Sequence, residues 1–297
     1  MTGEGGKPTN QPHPDHPHHP HHHAHIAAAP KTPVTQMVTV GIVVAALAGV
    51  SLWWLNRAGE DNKLNTMFAS KDARNISTVN GQRGDVTLSD GSKINIGPAT
   101  KLVIIPKYNE QYRGVKVDGT ASFDVKPSAG VPIEVRAGGA ALVVDAGAFV
   151  ARAYADEGGA TFKLTAGSGE IRAKGARRQI TAPAAIHIGK DSTMSDESAD
   201  AAEVATSWAD GKVVFKGMTL KDVLPQFSRY YAINLEVADM ALLSRPVTME
   251  AALDSKQKAI SALEESAFVK FAYDNNKPTL KDNPAAAAKA AKAVKKK

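Results

Sequence analysis

Residues 86–96 read Val86-Thr87-Leu88-Ser89-Asp90-Gly91-Ser92-Lys93-Ile94-Asn95-Ile96. Two short runs of alternating apolar and polar side chains flank Asp90-Gly91, a pair that accepts the positive φ angles of a tight turn. The stretch therefore predicts a β-hairpin with one face buried. The pattern recurs downstream in Val115-Lys116-Val117, Ala121-Ser122-Phe123-Asp124-Val125, Ile133-Glu134-Val135, Leu142-Val143-Val144, Thr161-Phe162-Lys163-Leu164, Gly169-Glu170-Ile171-Arg172 and Arg178-Gln179-Ile180. Strands about ten residues apart with no helical run between them predict an all-β domain over residues 81–189, a sandwich, barrel or solenoid of short strands.

Toward the C-terminus the period changes. Residues 190–206 (KDSTMSDESADAAEVAT) are small and acidic and are expected to be a linker. Residues 207–282 then alternate strand and helix. Lys212–Phe215 has strand character, and Thr219-Leu220-Lys221-Asp222 has the S/T-x-x-D/E form of a helix start. Leu220, Val223, Leu224, Phe227 and Tyr231 share one helical face, with Pro225 expected to kink the helix. Ile233–Val237 returns as a strand. Val247–Met249, a helix near Ser255–Ala267 and Val269–Tyr273 repeat the order, so two β-α-β units and a small α/β domain are expected. Residues 283–297 form an Ala/Lys-rich tail, disordered or marginally helical.

Upstream, residues 56–80 are polar and expected to be a linker. Val34–Leu55 carries no charge over 22 residues. As a helix it would span roughly 33 Å, the thickness of a bilayer core. Trp53 and Trp54 close the run, and such rings favour the headgroup layer. A transmembrane helix over 34–55 is expected. Ala46-Leu47-Ala48 has the small residues of a signal cleavage site, but a long leader without basic character precedes it and the apolar run continues past it. An uncleaved anchor fits better. Residues 1–33 hold seven prolines and almost no large apolar side chain, so they cannot bury enough surface to fold alone.

The chain has 297 residues and no cysteine, which excludes disulfides, thiolate metal sites and a cysteine nucleophile. Its net charge is +6, but residues 281–297 alone carry six lysines and one aspartate. The rest is nearly neutral, so nucleic acid is not an expected partner. The lysine tail is suited to anionic lipid or cell-wall polymer.

Eight of the nine histidines, His13, His16, His18, His19, His21, His22, His23 and His25, lie in the first 33 residues. Neutral imidazoles are good ligands for Ni²⁺, Zn²⁺ or Cu²⁺, so this tract is the candidate metal site, with no other cofactor expected. His187, between Ile186 and Ile188, reads as a strand-face histidine. Thr165–Gly169 fails the G-x-S-x-G pattern at Ala166, and no H-E-x-x-H or P-loop occurs, so no enzyme activity is expected. Trp208, Asp210, Gly211 and Tyr230 are the candidate partner-binding residues, with Tyr230 expected to be exposed because it lies off the apolar helix face.

Several of these motifs together resemble the FecR family. Leu88–Ile94 is similar to that family's L-x-D-G-S-x-hydrophobic opening. Val117–Val125, with its F-D-V, followed by Pro127 and Pro132 and then Ile133–Ala137, resembles the next block. Trp208–Phe215 with Gly217–Leu220 is similar to the W-x-x-G…F…L segment that leads into a short secretin- and TonB-receptor-type domain. The resemblance implies a single-pass inner-membrane protein with its N-terminus cytoplasmic and residues 57–297 periplasmic. It also implies a protein partner in the envelope, such as a TonB-dependent receptor, and signal transduction linked to iron uptake and sigma-factor regulation. Lysine and arginine counting across the span favours the opposite orientation, a rule that is weak for large downstream domains. Two departures stand out. The N-terminal 33 residues cannot form the family's helical anti-sigma domain, and its G-T-x-F block appears as Asp145-Ala146-Gly147-Ala148-Phe149, without the threonine. Metal binding through the histidines and an envelope scaffold are the alternative functions.

Overall fold

The computed structural model describes residues 63–128 and 130–294. The expected His/Pro segment 1–33, the transmembrane run 34–55 and the last three lysines lie outside the described residues. Among the described residues, no helix is long and apolar enough to cross a membrane.

Eleven strands build the first half: β1 (Arg74–Ser77), β2 (Gly84–Thr87), β3 (Lys93–Ile96), β4 (Lys101–Ile104), β5 (Arg113–Val125), β6 (Ile133–Ala137), β7 (Ala140–Ala153), β8 (Gly159–Ala173), β9 (Ala176–Thr181), β10 (Ala184–Gly189) and β11 (Met194–Asp196). The 86–96 stretch is the expected hairpin. Val86 faces Ile94 and Thr87 faces Lys93. The Leu88 N–H donates to Ser92 O at 2.8 Å, and Gly91 turns with φ +82°.

The strands are not all short. β5, β7 and β8 run 13, 14 and 15 residues. The first part of β5 pairs with β4 and, in parallel, with β6. Its second part pairs with β3 and with the end of β7. β8 pairs with β9 at one end and β10 at the other. One sheet is thereby folded over into two layers, β1-β4-β5-β6-β7-β8-β9 and β2-β3-β5-β7-β8-β10-β11, which share the three long strands. Ile94, Val117, Phe123, Leu142, Phe149, Phe162 and Ile186 fill the space between. Phe123 and Phe149, partners across β5 and β7, stack with centroids 4.7 Å apart.

Asp118-Gly119 and Asp145-Ala146-Gly147 therefore sit at corners within strands rather than at turns between them. A glycine in a strand often marks such a bend. At Gly119 the reason is steric as well as conformational: φ is +127°, and a Cβ there would lie 2.4 Å from Thr100 Oγ1.

Both segments expected to be linkers hold ordered elements. Residues 63–68 are helical, and β1 follows them and pairs with β4. Residues 190–206 hold β11 and helix α1 (Ala199–Thr206), capped by Ser198, whose Oγ accepts from Ala201 N. Ala202 and Ala205 are buried under α1. Small side chains that read as a linker are here the means of close packing, and β1 is held by main-chain pairing that polar side chains do not reveal.

A 3-10 turn (Ser207–Asp210) leads into the second half: β12 (Lys212–Thr219), α2 (Leu220–Tyr231), β13 (Glu236–Val237), a second 3-10 turn (Met240–Ser244), β14 (Pro246–Ala252), α3 (Lys256–Ala267), β15 (Val269–Asp274), β16 (Lys277–Asp282) and α4 (Pro284–Val294). The two β-α-β units are interleaved. Their first strands, β12 and β14, pair antiparallel in one sheet. Their second strands, β13 and β15, flank β16 in another, with β13 parallel to it. β16 was not expected. It is formed by a hairpin through Asn275-Asn276, whose φ values of +46° and +65° suit a tight hairpin turn. Helix α2 runs on through Pro225, which lies on its exposed side. Phe215, Leu220, Val223, Phe227, Ile260 and Leu263 make this half's core.

Candidate partner-binding site and the junction beneath it

The two halves meet where β7 ends. Arg152, near the end of β7, is 5% exposed and reaches toward α2. Its Nη1 donates to Tyr230 Oη at 2.7 Å and its Nη2 to Gln226 Oε1 at 2.9 Å. Its Nε and Nη2 also donate to the Glu157 carboxylate at 2.7 and 2.6 Å. From the helix side, Arg229 donates to Glu157 Oε1 at 2.8 Å and to Asp156 at 2.7 and 2.8 Å. Its guanidinium lies 3.7 Å from the centre of the Tyr154 ring. Tyr154 in turn donates its hydroxyl to Pro98 O at 2.6 Å.

A buried guanidinium is costly unless both its charge and its donors are matched. Burial opposes the charge on Arg152, but the surrounding Tyr230, Glu157 and Tyr154 outweigh it and raise its pKa above the ordinary arginine value. Burial also pushes the Tyr154 hydroxyl well up, so it stays protonated and donates.

Helix α2 thus has two buried faces. Leu220, Val223, Phe227 and Tyr231 serve its own domain's core, while Gln226, Arg229 and Tyr230, at i, i+3 and i+4, face the β domain. Tyr230 is 4% exposed, against the expectation that it stands free. It lies off the apolar face, as the spacing says, but that second face is covered by β7. Trp208 is 2% exposed and packs with Val150 and Phe215 in the second core. Its indole Nε1 has no hydrogen-bond partner among the described residues. Asp210 is exposed, and Gly211 closes the 3-10 turn with φ +80°. The structure therefore brings Trp208 and Tyr230 into the junction and leaves Asp210 exposed. The eight N-terminal histidines lie outside the described residues, and among the described residues no cluster of three or more metal-ligating side chains occurs.

A second buried arginine holds the β domain's own hairpin. Arg113 is 1% exposed and bonds the Asp90 carboxylate through Nε, at 2.9 Å, and Nη2. It also donates to Ser92 Oγ and to the carbonyls of Lys126 and Val131. Tyr108 adds a hydroxyl to Asp90 at 3.1 Å. Burial works against the Asp90 charge, but the Ser92 backbone N–H and Arg113 prevail, holding its pKa below the usual carboxylate value. Sequence reasoning singled out Asp90 as a turn residue and missed its partner. The hint it left is an arginine placed in the same alternation as the inward-facing Val115 and Val117.

His187 is a half-exposed strand residue, its Nδ1 3.3 Å from Thr161 Oγ1 and 3.6 Å from the Glu197 carboxylate. The hydroxyl and the carboxylate approach the same ring nitrogen, so the imidazole cannot relay a proton between them through its two nitrogens.

Comparison with known proteins agrees with this architecture. The family model described as FecR protein matches residues 74–170. Two crystal structures of a candidate anti-sigma factor from Parabacteroides distasonis ATCC 8503, at 2.50 and 1.65 Å, share the fold, each with TM-score 0.62 and 20% identity. The matches cover 71% and 70% of this chain and 99% of each of those chains. No curated protein matches the chain significantly. The hairpin around Asp90, the Phe123 strand, β7 and all but the last three residues of β8 fall in the matched span.

Proposed function

We propose that this chain is a single-pass envelope signalling protein that binds a protein partner and performs no chemistry of its own. Residues 34–55 anchor it in the inner membrane, the N-terminus is cytoplasmic, and the FecR domain and the α/β domain stand in the periplasm. The observation that carries the reading is the Arg152–Glu157–Arg229–Tyr230 junction. A partner docked on the α/β domain near Asp210 loads α2, and through Arg152 the load passes directly into β7 of the FecR domain. The candidate anti-sigma neighbour and the FecR match support a regulatory role. A TonB-dependent receptor in the iron-uptake class is the partner this reading favours.

The test is in-cell crosslinking combined with topology. A photo-reactive residue replacing Asp210 is expected to give one adduct with an envelope protein, and reporters after Arg57 and at the C-terminus are expected to be active only in the periplasm. A cytoplasmic C-terminus would overturn the reading.

The clustering of eight histidines within thirteen residues supports a second function, capture of Ni²⁺, Zn²⁺ or Cu²⁺. Calorimetric titration of the full chain should then show binding that disappears when those histidines are replaced and weakens as pH falls through about 6.5.

A further inference from the structure

The register of the first sheet layer places cations in line across the outside of the FecR domain. Asn75 on β1 faces Val103 on β4, and Val103 faces Lys116 on β5. Lys116 faces Arg136 on β6, and Arg136 faces Ala141 on β7. Ala141 faces Arg172 on β8, which faces Arg177 on β9. Seven strands about 4.8 Å apart make this one row roughly 29 Å long. Lys116 with Arg136, and Arg172 with Arg177, are like charges directly opposed, an arrangement that costs stability unless something neutralises it.

Carboxylates of the described residues pair with several of these cations. Glu134 pairs with Arg136 and Arg172, and Glu170 pairs with Arg172 and Arg177. Among the described residues Lys116 pairs with Asp118, at 3.9 Å. Lys101 and Lys174 stand at the margins. Among the described residues, Lys101, Lys116, Arg136, Arg172, Lys174 and Arg177 line a cleft of about 880 Å³ together with the carboxylates of Asp118 and Glu134.

Asn65 and Phe68, from the helical residues 63–68, form one wall of the cleft. Arg136 Nη1 donates to Asn65 Oδ1 at 2.6 Å, and its guanidinium lies 5.4 Å from the centre of the Phe68 ring. The uncharged run ends at Leu55, so only residues 56–62 separate it from this wall. Seven residues reach at most about 25 Å.

We infer that this cationic face docks on the anionic phospholipid headgroups of the membrane in which the chain is anchored. The inference rests on the anchor proposed above. Phosphodiester headgroups carry the charge opposite to that of the row, and only seven residues of sequence separate the uncharged run from the helix that walls the cleft. Each lysine or arginine near such a surface shifts the equilibrium about fivefold toward contact.

The test uses the full chain reconstituted in nanodiscs of phosphatidylcholine, with or without phosphatidylglycerol. Amine-reactive labelling read by mass spectrometry is expected to slow at Lys101, Lys116 and Lys174 only in the phosphatidylglycerol discs. Lys258 and Lys270, on the α/β domain, serve as unaffected controls, and high salt is expected to restore labelling. Lys116→Glu, at an exposed side chain, should weaken protection of Lys101 and Lys174 about fivefold without changing the melting temperature. Equal labelling in both discs would overturn the inference. So would protection by an acidic polypeptide but not by phosphatidylglycerol, which would assign the cleft to a protein. An alkaline carbonate wash tests the anchor separately. If it strips the chain from membranes, the anchor fails and the cleft is judged by flotation of the same chain with phosphatidylglycerol vesicles, where failure to float overturns the inference.

Discussion

Replacing Glu157 by Gln tests whether the junction couples the two domains. The carboxylate accepts three charged hydrogen bonds, two from Arg152 and one from Arg229, at 2.6 to 2.8 Å. Gln keeps the shape but removes the charge, and its amide NH₂ turns donors toward guanidinium donors. Arg152 is then left with Tyr230 and Gln226, both neutral, while Arg229 keeps Asp156. Breaking a fully buried ion pair by removing one partner costs about 3–5 kcal/mol. Glu157 is 26% exposed, so water replaces part of the lost interaction. The expected loss is about 2–3 kcal/mol. The assay is urea unfolding of the full chain in a background with Trp53 and Trp54 replaced by Phe, so that Trp208, buried at the junction, reports alone. The midpoint of the Trp208 transition should fall, and the α/β domain should unfold before the β domain, whose strand signal is followed by circular dichroism. A change below about 0.5 kcal/mol, or a loss confined to the β domain with Trp208 unmoved, would refute the claim that this carboxylate holds the domains together.

Asp90 gives a pH prediction. Its folded pKa lies below its unfolded value. The stability it contributes is therefore present above the unfolded carboxylate pKa, near 4, and is lost as pH falls through the folded value. Asp90→Asn should lower the urea midpoint at pH 7 and flatten the acid limb below pH 4; a parallel acid limb in both proteins would count against it. Gly119→Ala places a methyl against Thr100 at a φ of +127°. It should cost about 2–3 kcal/mol by thermal melting, and an unchanged melting temperature would count against the steric argument.

Much of the local structure was legible. Asp90-Gly91 between alternating runs specifies its own hairpin, because turn preference and side-chain alternation act over a few residues. Thr219-Leu220-Lys221-Asp222 does begin a helix: Thr219 Oγ1 accepts from Asp222 N at 3.3 Å. β5 was read as two short strands, Val115–Val117 and Ala121–Val125, because a glycine with positive φ serves a corner as well as a turn, and what distinguishes them is the strand lying alongside. Tyr230 was expected at the surface because a single helix has only its own apolar face to offer.

The sequence by itself determined where the chain alternates and where it turns, since these follow from side-chain period and backbone preference. Tertiary structure alone decided which groups share a neighbourhood. Arg152 and its acceptors Gln226 and Tyr230 are 74 and 78 residues apart. The cations at 116, 136, 172 and 177 align only because strand pairing sets one register across the layer. Neither arrangement leaves a local mark, because the energy of a buried ion pair or a cross-strand contact depends on distance in space, and the chain brings those distances about only when the sheet closes.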